Sequence, residues 1–239
     1  MEKNIEDLLL ELNARFYRDN AATFSATRQR LQPGVQRIAA SLLTFQSRLL
    51  DLGCGNGQLA HYLAEKGFLG EYLGIDASQE LLAEARQTSP FTFQAADLSA
   101  PDWDAGIDSN RFDAVLAFAV FHHLPGIRLR LEALKKIHSR LVVPGGRFYH
   151  SEWQVSNSSR LASRIHSWEE IGLNRAAVDP GDLLIDWRAG EHTGLRYVHQ
   201  FDENELARLA SAASFRICET FYSDGREGNL GLYQVWEAD

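Results

Sequence analysis

The chain has 239 residues, 45% apolar and 23% charged, enough for one α/β domain that buries roughly 70–75% of its unfolded surface. Its 24 basic against 32 acidic residues give a formal charge of −8, which excludes nucleic-acid binding through bulk positive charge and leaves only local basic patches for that purpose. Two cysteines exclude a disulfide scaffold, no metal-ligand spacing such as C-x-x-C or H-E-x-x-H occurs, and no apolar run approaches the roughly 18 residues of a membrane span, so a cytoplasmic protein with no metal and no membrane partner is expected.

Ile5, Leu8, Leu9, Leu12 and Phe16 recur at helical spacing, as do Val35, Ile38, Ala39 and Leu42 after Pro33, a residue suited to a helix's first turn. Two helices are therefore expected over residues 1–45, and the acidic stretch 1–12 lacks the regions of a secretory signal. The run Leu49-Leu50-Asp51-Leu52-Gly53-Cys54-Gly55-Asn56-Gly57 then reads as an apolar strand entering a G-x-G-x-G turn. A dinucleotide fingerprint needs its third glycine where Gln58 stands, and a carboxylate at Asp51 repels a diphosphate while attracting a cation. The pattern points to a cationic ligand without phosphate.

A helix over about 57–66 leads to a second strand, 71–76, which ends in Asp76. A carboxylate at that tip suits the two hydroxyls of a ribose. A helix over 78–87, capped by Ser78, precedes a third strand that ends in Asp97, where an acid can accept from an adenine amino group while the Leu98 N–H meets a ring nitrogen. The fourth strand, 112–121, delivers His122-His123-Leu124-Pro125 at its carboxyl end. Every functional candidate so far follows a strand's carboxyl end, where open parallel sheets bind ligands.

A helix over about 128–141, stopped by Pro144-Gly145-Gly146, precedes a fifth strand at 147–153. Residues 154–200 break the rhythm with a helix expected over about 159–171, a Pro180-Gly181 loop, and the side chains Trp168, Trp187, Arg188 and Arg196. Such an insertion is where substrate specificity is built, or it is a cover whose tryptophans only pack. A helix over 203–213 and two strands, 215–222 and 230–236, end the chain, the last strand antiparallel. Alternating β and α units predict a doubly wound, Rossmann-like α/β fold with right-handed crossovers and helices on both faces, organised as helices 1–45, a core 46–153, the insertion 154–200 and an end segment 201–239 of one domain.

These residues resemble the class I S-adenosylmethionine-dependent methyltransferases. Phe24-Ser25-Ala26-Thr27-Arg28, the Ala119-Val120-Phe121-His122-His123-Leu124 run, Gly145-Gly146 with Trp153, the 181–187 segment and Arg196-Tyr197-Val198-His199-Gln200-Phe201 are similar to the tRNA methyltransferases that esterify the carboxymethyl group on wobble uridine. The likeness implies S-adenosyl-L-methionine as cofactor, with contacts expected from Asp51, Gly53, Cys54, Gly55, Gly57, Asp76, Ala77, Asp97, Leu98 and Phe118. A tRNA or a small carboxylate or hydroxyl compound remains open as acceptor, with a small activating subunit as a source of the positive charge this chain lacks. A noncatalytic cofactor-binding subunit is the alternative of another class.

Methyl transfer to oxygen requires alignment of nucleophile, methyl and sulfur while water is kept out. A carboxylate acceptor is ionised at neutral pH and needs a cation more than a base. Arg196 and Arg28 are the candidates for that cation, by the match of a guanidinium to a carboxylate. A hydroxyl or amine acceptor would call on His122 or His123, which at a strand end should point different ways. His199 is a further catalytic candidate, or with Arg196 it belongs to an edge-strand ion pair.

Overall fold

The computed structural model describes residues 1–27, 30–43, 47–107, 111–189 and 192–239. Two helices come first, α1 (Lys3–Ala26) and α2 (Pro33–Leu42). The buried line of α1 runs through Glu6, Leu9, Asn13 and Phe16, whereas Leu8, expected on that face, is 41% exposed. After them come β1 (Arg48–Leu52), α3 (Gln58–Glu65), β2 (Glu71–Asp76), α4 (Gln79–Thr88), β3 (Thr92–Ala95) and β4 (Phe112–Phe118). Ser78 caps α4 as expected, its hydroxyl accepting the Leu81 N–H.

The chain continues through α5 (Ile127–Lys136), β5 (Val142–Trp153), the single turn α6 (Ser159–Ala162), β6 (Ile165–His166), β7 (Asp182–Ala189), β8 (His192–His199), α7 (Glu203–Ala212), β9 (Phe215–Ser223) and β10 (Gly231–Ala238). Seven strands form one sheet in the order β3-β2-β1-β4-β5-β10-β9. Pairing is parallel from β3 through β5, and β10 runs antiparallel to both neighbours, as expected for a Rossmann-like methyltransferase sheet. The order reverses between β1 and β4, which opens a crevice at their carboxyl ends.

Both faces of this sheet are covered. Leu50, Val115, Phe148 and Trp236 pack with Leu134 of α5 and Leu209 of α7, while their chain neighbours Leu49, Leu116, Tyr149 and Val235 pack with Ile38, Leu63 and Leu82 of α2, α3 and α4. The period-two alternation of side chains thus feeds two cores from one apolar sequence, which is why these strands read as nearly continuous hydrophobic runs.

Two expectations fail. Helix α5 passes into a π-helical turn over Ile137–Leu141 and the strand begins at Val142, so Pro144-Gly145-Gly146 lies inside β5. There the pairing steps from Phe112↔Val142 to Ala114↔Arg147, and the three residues bulge out. The helix expected over 159–171 is also absent. Only α6 is helical, followed by β6 and a 3₁₀ turn at Trp168–Ile171. The insertion folds instead as a three-stranded antiparallel sheet, β6-β7-β8. One face, with Leu184 and Tyr197, packs on Leu9 of α1, and the other, with Ile185 and Val198, packs on Val155 and partly buried Trp153 and Leu161.

Candidate functional site

Strand β1 enters the glycine turn at the crevice between β1 and β4. Gly53, Gly55 and Gly57 all take left-handed backbone angles, with φ of +66°, +56° and +77°. Gly57 caps α3, and a Cβ on it would lie 2.8 Å from the Ala85 Cβ of α4. Its bare backbone lets two helices approach, and it stands behind the cavity wall; the expected ligand contact at Gly57 is thereby corrected to a packing role.

The other nine expected cofactor contacts, Asp51, Gly53, Cys54, Gly55, Asp76, Ala77, Asp97, Leu98 and Phe118, line one cavity of about 1360 Å³. Asp51 is buried and accepts the Tyr72 hydroxyl. Burial pushes its pKa up to about 7, against the pull of the Tyr72 bond and with the help of the Asp76 charge. Asp76 accepts the Gly55 N–H at 2.9 Å on one oxygen and the Ser78 N–H at 2.8 Å on the other. The Ala77 N–H is a third backbone donor to this carboxylate, which leaves part of its four lone-pair sites for a ligand. Burial raises this carboxyl too, while the backbone N–H groups hold it down. Asp97 is exposed and turns one oxygen to the N–H and hydroxyl of Ser99, at 2.9 and 2.7 Å. Cys54, partly buried beside these acids, is kept a neutral thiol by burial and by the charges of Asp51 and Asp76.

Among the described residues neither Asp51 nor Asp76 has an ion-pair partner, so the donor set fits a ligand with a positive charge and hydroxyl groups. S-adenosylmethionine meets both requirements, and a dinucleotide's phosphates meet neither.

The opposite end of the cavity is built from β4, β5, α1 and the small sheet. Beyond β4, Ala119 adopts φ +59° and a 3₁₀ turn spans Phe121–His123. His122 and His123 diverge, as their adjacency predicts. His122 is fully buried and off the cavity wall, its Nδ1 3.2 Å from Glu152 and its backbone N–H on the same oxygen. The other Glu152 oxygen meets His150 Nδ1 at 3.1 Å. Burial lifts the Glu152 carboxyl well above the usual range, against the His122 N–H and the Arg130 charge, and drops His150 to about 3. His122 is corrected from candidate base to part of this buried support.

His123 does line the cavity, yet both its nitrogens have protein partners: Nε2 lies 2.8 Å from the Tyr17 hydroxyl and Nδ1 3.3 Å from the Tyr197 carbonyl. Arg196 is buried on the same wall, 4.6 Å over the Trp153 ring and 5.2 Å over Phe16. Burial lowers its pKa, with the Tyr17 hydroxyl opposing through a hydrogen bond, and it remains a cation.

His199, a catalytic candidate from sequence, lies elsewhere. It bridges Asp182 at 2.6 Å and Glu205 at 2.9 Å, in a buried network completed by Arg130 and the Tyr197 hydroxyl. This network joins α5, α7 and the small sheet, so His199 is corrected to a structural role. Arg28 lies outside the described residues. Trp153 and Trp187 line the cavity, whereas Trp168 packs in the core beneath α1. Sequence reasoning missed Tyr17, Arg160 and Arg164 on the wall. Tyr17 neighbours the apolar Phe16 in a helix, and only the fold brings it beside His123.

A family model described as a methyltransferase domain matches residues 14–220. A protein of Encephalitozoon cuniculi named as a methyltransferase is 31% identical over 208 residues, covering 86% of this chain and 87% of that protein. The tRNA (carboxymethyluridine(34)-5-O)-methyltransferase of Schizosaccharomyces pombe is 29% identical over 228 residues, covering 85% and 89%. In fold, the chain is similar to the 1,6-didemethyltoxoflavin-N1-methyltransferase of Burkholderia thailandensis, solved with 1,6-didemethyltoxoflavin and S-adenosylhomocysteine bound. The TM-score is 0.63 at 21% identity, over 99% of this chain and 90% of the other.

Proposed function

The chain belongs to the methyltransferase-domain family and is an S-adenosylmethionine-dependent methyltransferase, and on that premise we propose that it methylates a carboxylate oxygen, with the carboxymethyl group of a tRNA wobble uridine as the acceptor. The observation that carries this reading is the engagement of both histidines, His122 by Glu152 and His123 by Tyr17 and the Tyr197 carbonyl, beside a buried arginine on the cavity wall. That wall suits an acceptor that arrives ionised better than one that must lose a proton. The Schizosaccharomyces pombe relative, named for carboxymethyluridine, supports the same acceptor.

Bound S-adenosylmethionine supplies a methyl group on a sulfonium, activated for in-line displacement. Asp76 accepts the ribose hydroxyls with the lone pairs its backbone partners leave. Asp51, ionised on binding, faces the ammonium. Asp97 and the Leu98 N–H take the adenine edge, Ala77 and Phe118 cover it, and Gly53, Cys54 and Gly55 let the ligand approach the backbone. Arg196 holds the acceptor carboxylate in its planar fork, and Trp153 and Trp187 exclude water. Arg160, Arg164 and Arg188 also line the cavity, the last two paired with Asp186, a side with a net positive charge in a chain of charge −8. Phosphates of a nucleic acid can meet such a patch.

The test is methyl-labelled cofactor with the purified chain, against total tRNA and against a panel of small carboxylic acids, with and without candidate activating subunits. Label that enters tRNA and is released by mild alkali, as from a methyl ester, is expected. Alkali-stable label overturns the carboxylate reading, label confined to small acids replaces tRNA with a metabolite, and cofactor binding without transfer selects a noncatalytic subunit.

A further inference from the structure

Helix α1 lies close against β8 because Gly194 has no side chain; a Cβ there would sit 2.8 Å from the Phe16 ring. Asn13 fixes the helix's rotation. Its side-chain oxygen accepts the Tyr197 N–H at 2.8 Å and its amide donates to the Tyr197 carbonyl at 3.1 Å, as a neighbouring strand would. Tyr17 is one turn further along the same face.

The Tyr17 oxygen is hydrogen-bonded to both Arg196 and His123 Nε2, the latter at 2.8 Å. A guanidinium can only donate, so Arg196 donates to the Tyr17 oxygen. The Tyr17 hydroxyl can still give its own proton to His123 Nε2, and in that tautomer His123 carries its proton on Nδ1, which has the Tyr197 carbonyl at 3.3 Å and the Asn13 side-chain nitrogen at 3.5 Å as neighbours. The groups around the imidazole agree with a neutral ring: Tyr17 from α1, the Arg196 cation from β8, and the His122 ring 4.3 Å away, itself held by Glu152 of β5.

We propose that Tyr17 is a positioning residue of the acceptor site, which holds the Arg196 fork on the cavity wall and occupies the one basic nitrogen that His123 could offer. The site thereby selects an ionised acceptor and denies a base to a neutral one. This role of Tyr17 toward the acceptor rests on the carboxylate reading above, while its grip on His123 and Arg196 does not.

The experiment is histidine side-chain ¹⁵N spectroscopy on the full chain between about pH 6 and 8, for the wild type and Tyr17→Phe, with cofactor affinity and acceptor kinetics beside it. In the wild type His123 should remain neutral with its proton on Nδ1. In Tyr17→Phe, with the partner of Nε2 gone, the preference for the Nδ1 tautomer should be lost. The Arg196 guanidinium signals should lose exchange protection, acceptor KM should rise at least tenfold, and cofactor affinity should stay within about twofold. A wild-type His123 protonated on Nε2, or titrating freely, overturns the proposal, as does a variant whose His123 and acceptor KM match the wild type. If Tyr17→Phe does not fold, the wild-type spectrum alone decides. Correct tautomer and correct loss, with no carboxylate methylated, would refute the acceptor reading and leave the grip of Tyr17 on His123 and Arg196 standing.

Discussion

Because Asp51 titrates at about 7 in the folded protein, cofactor affinity should climb steeply between pH 5.5 and 7. The ionised fraction of a group with that pKa rises from about 0.03 to about 0.5 over this interval, so a cation that binds only the ionised form gains about 16-fold in affinity, or about 1.6 kcal/mol. Binding at pH 7 should release about half a proton, since half the carboxyls are still protonated there. Calorimetry in two buffers of different ionisation enthalpy measures both quantities. Asp76 faces the same ligand and adds to the slope, so Asp51→Asn is the deciding variant: it keeps the Tyr72 hydroxyl as a partner and should bind weakly, with most of the pH dependence gone. A wild type whose affinity is flat over this range, or an Asp51→Asn variant with the full slope, would refute the reasoning. The same shift fixes a sign for the cofactor-free protein. The folded value lies above the ordinary 3.8, so the folded chain holds a proton the unfolded chain has lost, and this group's contribution to stability falls as pH rises from about 4 to 7.

Asp76→Ala should weaken cofactor binding more than tenfold, from the loss of a charged acceptor worth roughly 1.5–3 kcal/mol, and unchanged affinity in calorimetry would remove Asp76 from the ribose site. Arg196→Lys should raise acceptor KM or lower kcat almost as much as Arg196→Ala, with cofactor affinity nearly intact, because a lysine cannot form the planar fork. An active lysine variant would argue against bidentate capture. Arg130→Met should cost about 3–5 kcal/mol in urea unfolding, since it leaves Asp182 and Glu205 without their buried cation. A loss of acceptor turnover with stability unchanged would instead place that network in the chemistry.

Nine of the ten residues expected at the cofactor come together along one cavity, and that half of the candidate site was legible because its residues sit where sequence patterns change. Asp51 stands next to last in β1, Asp76 ends β2 and Asp97 follows β3 by two residues, and an acid at the carboxyl end of an apolar strand stands out in the sequence. The acceptor half was not. Leu161, Ile165 and Trp168 fall at helical spacing, but the fold assigns Leu161 to the small sheet's inner face, leaves Ile165 41% exposed and sends Trp168 to the core under α1. Pro144-Gly145-Gly146 resembles a helix stop and serves as a bulge in β5, since turn residues mark a break in regular pairing without saying which element it interrupts. His199 and Arg196 occupy one strand three residues apart, and which of them meets the cavity depends on packing from α7 and α1, far away in the chain. Tyr17 depends on the same long-range contact.

The Asn13–Tyr197 pairing spans 184 residues. At a translation rate of about 5–20 residues per second, Asn13 is made about 10 to 40 s before its partner exists. During that interval β1, β2 and β3, with the helices between them, are already available to close the cofactor half from local contacts, while α1 lacks the strand that its buried face fits. The nascent chain therefore carries an amphipathic helix in search of a surface, and the glycine turn and its neighbouring strands exist before the small sheet that completes the opposite end of the cavity.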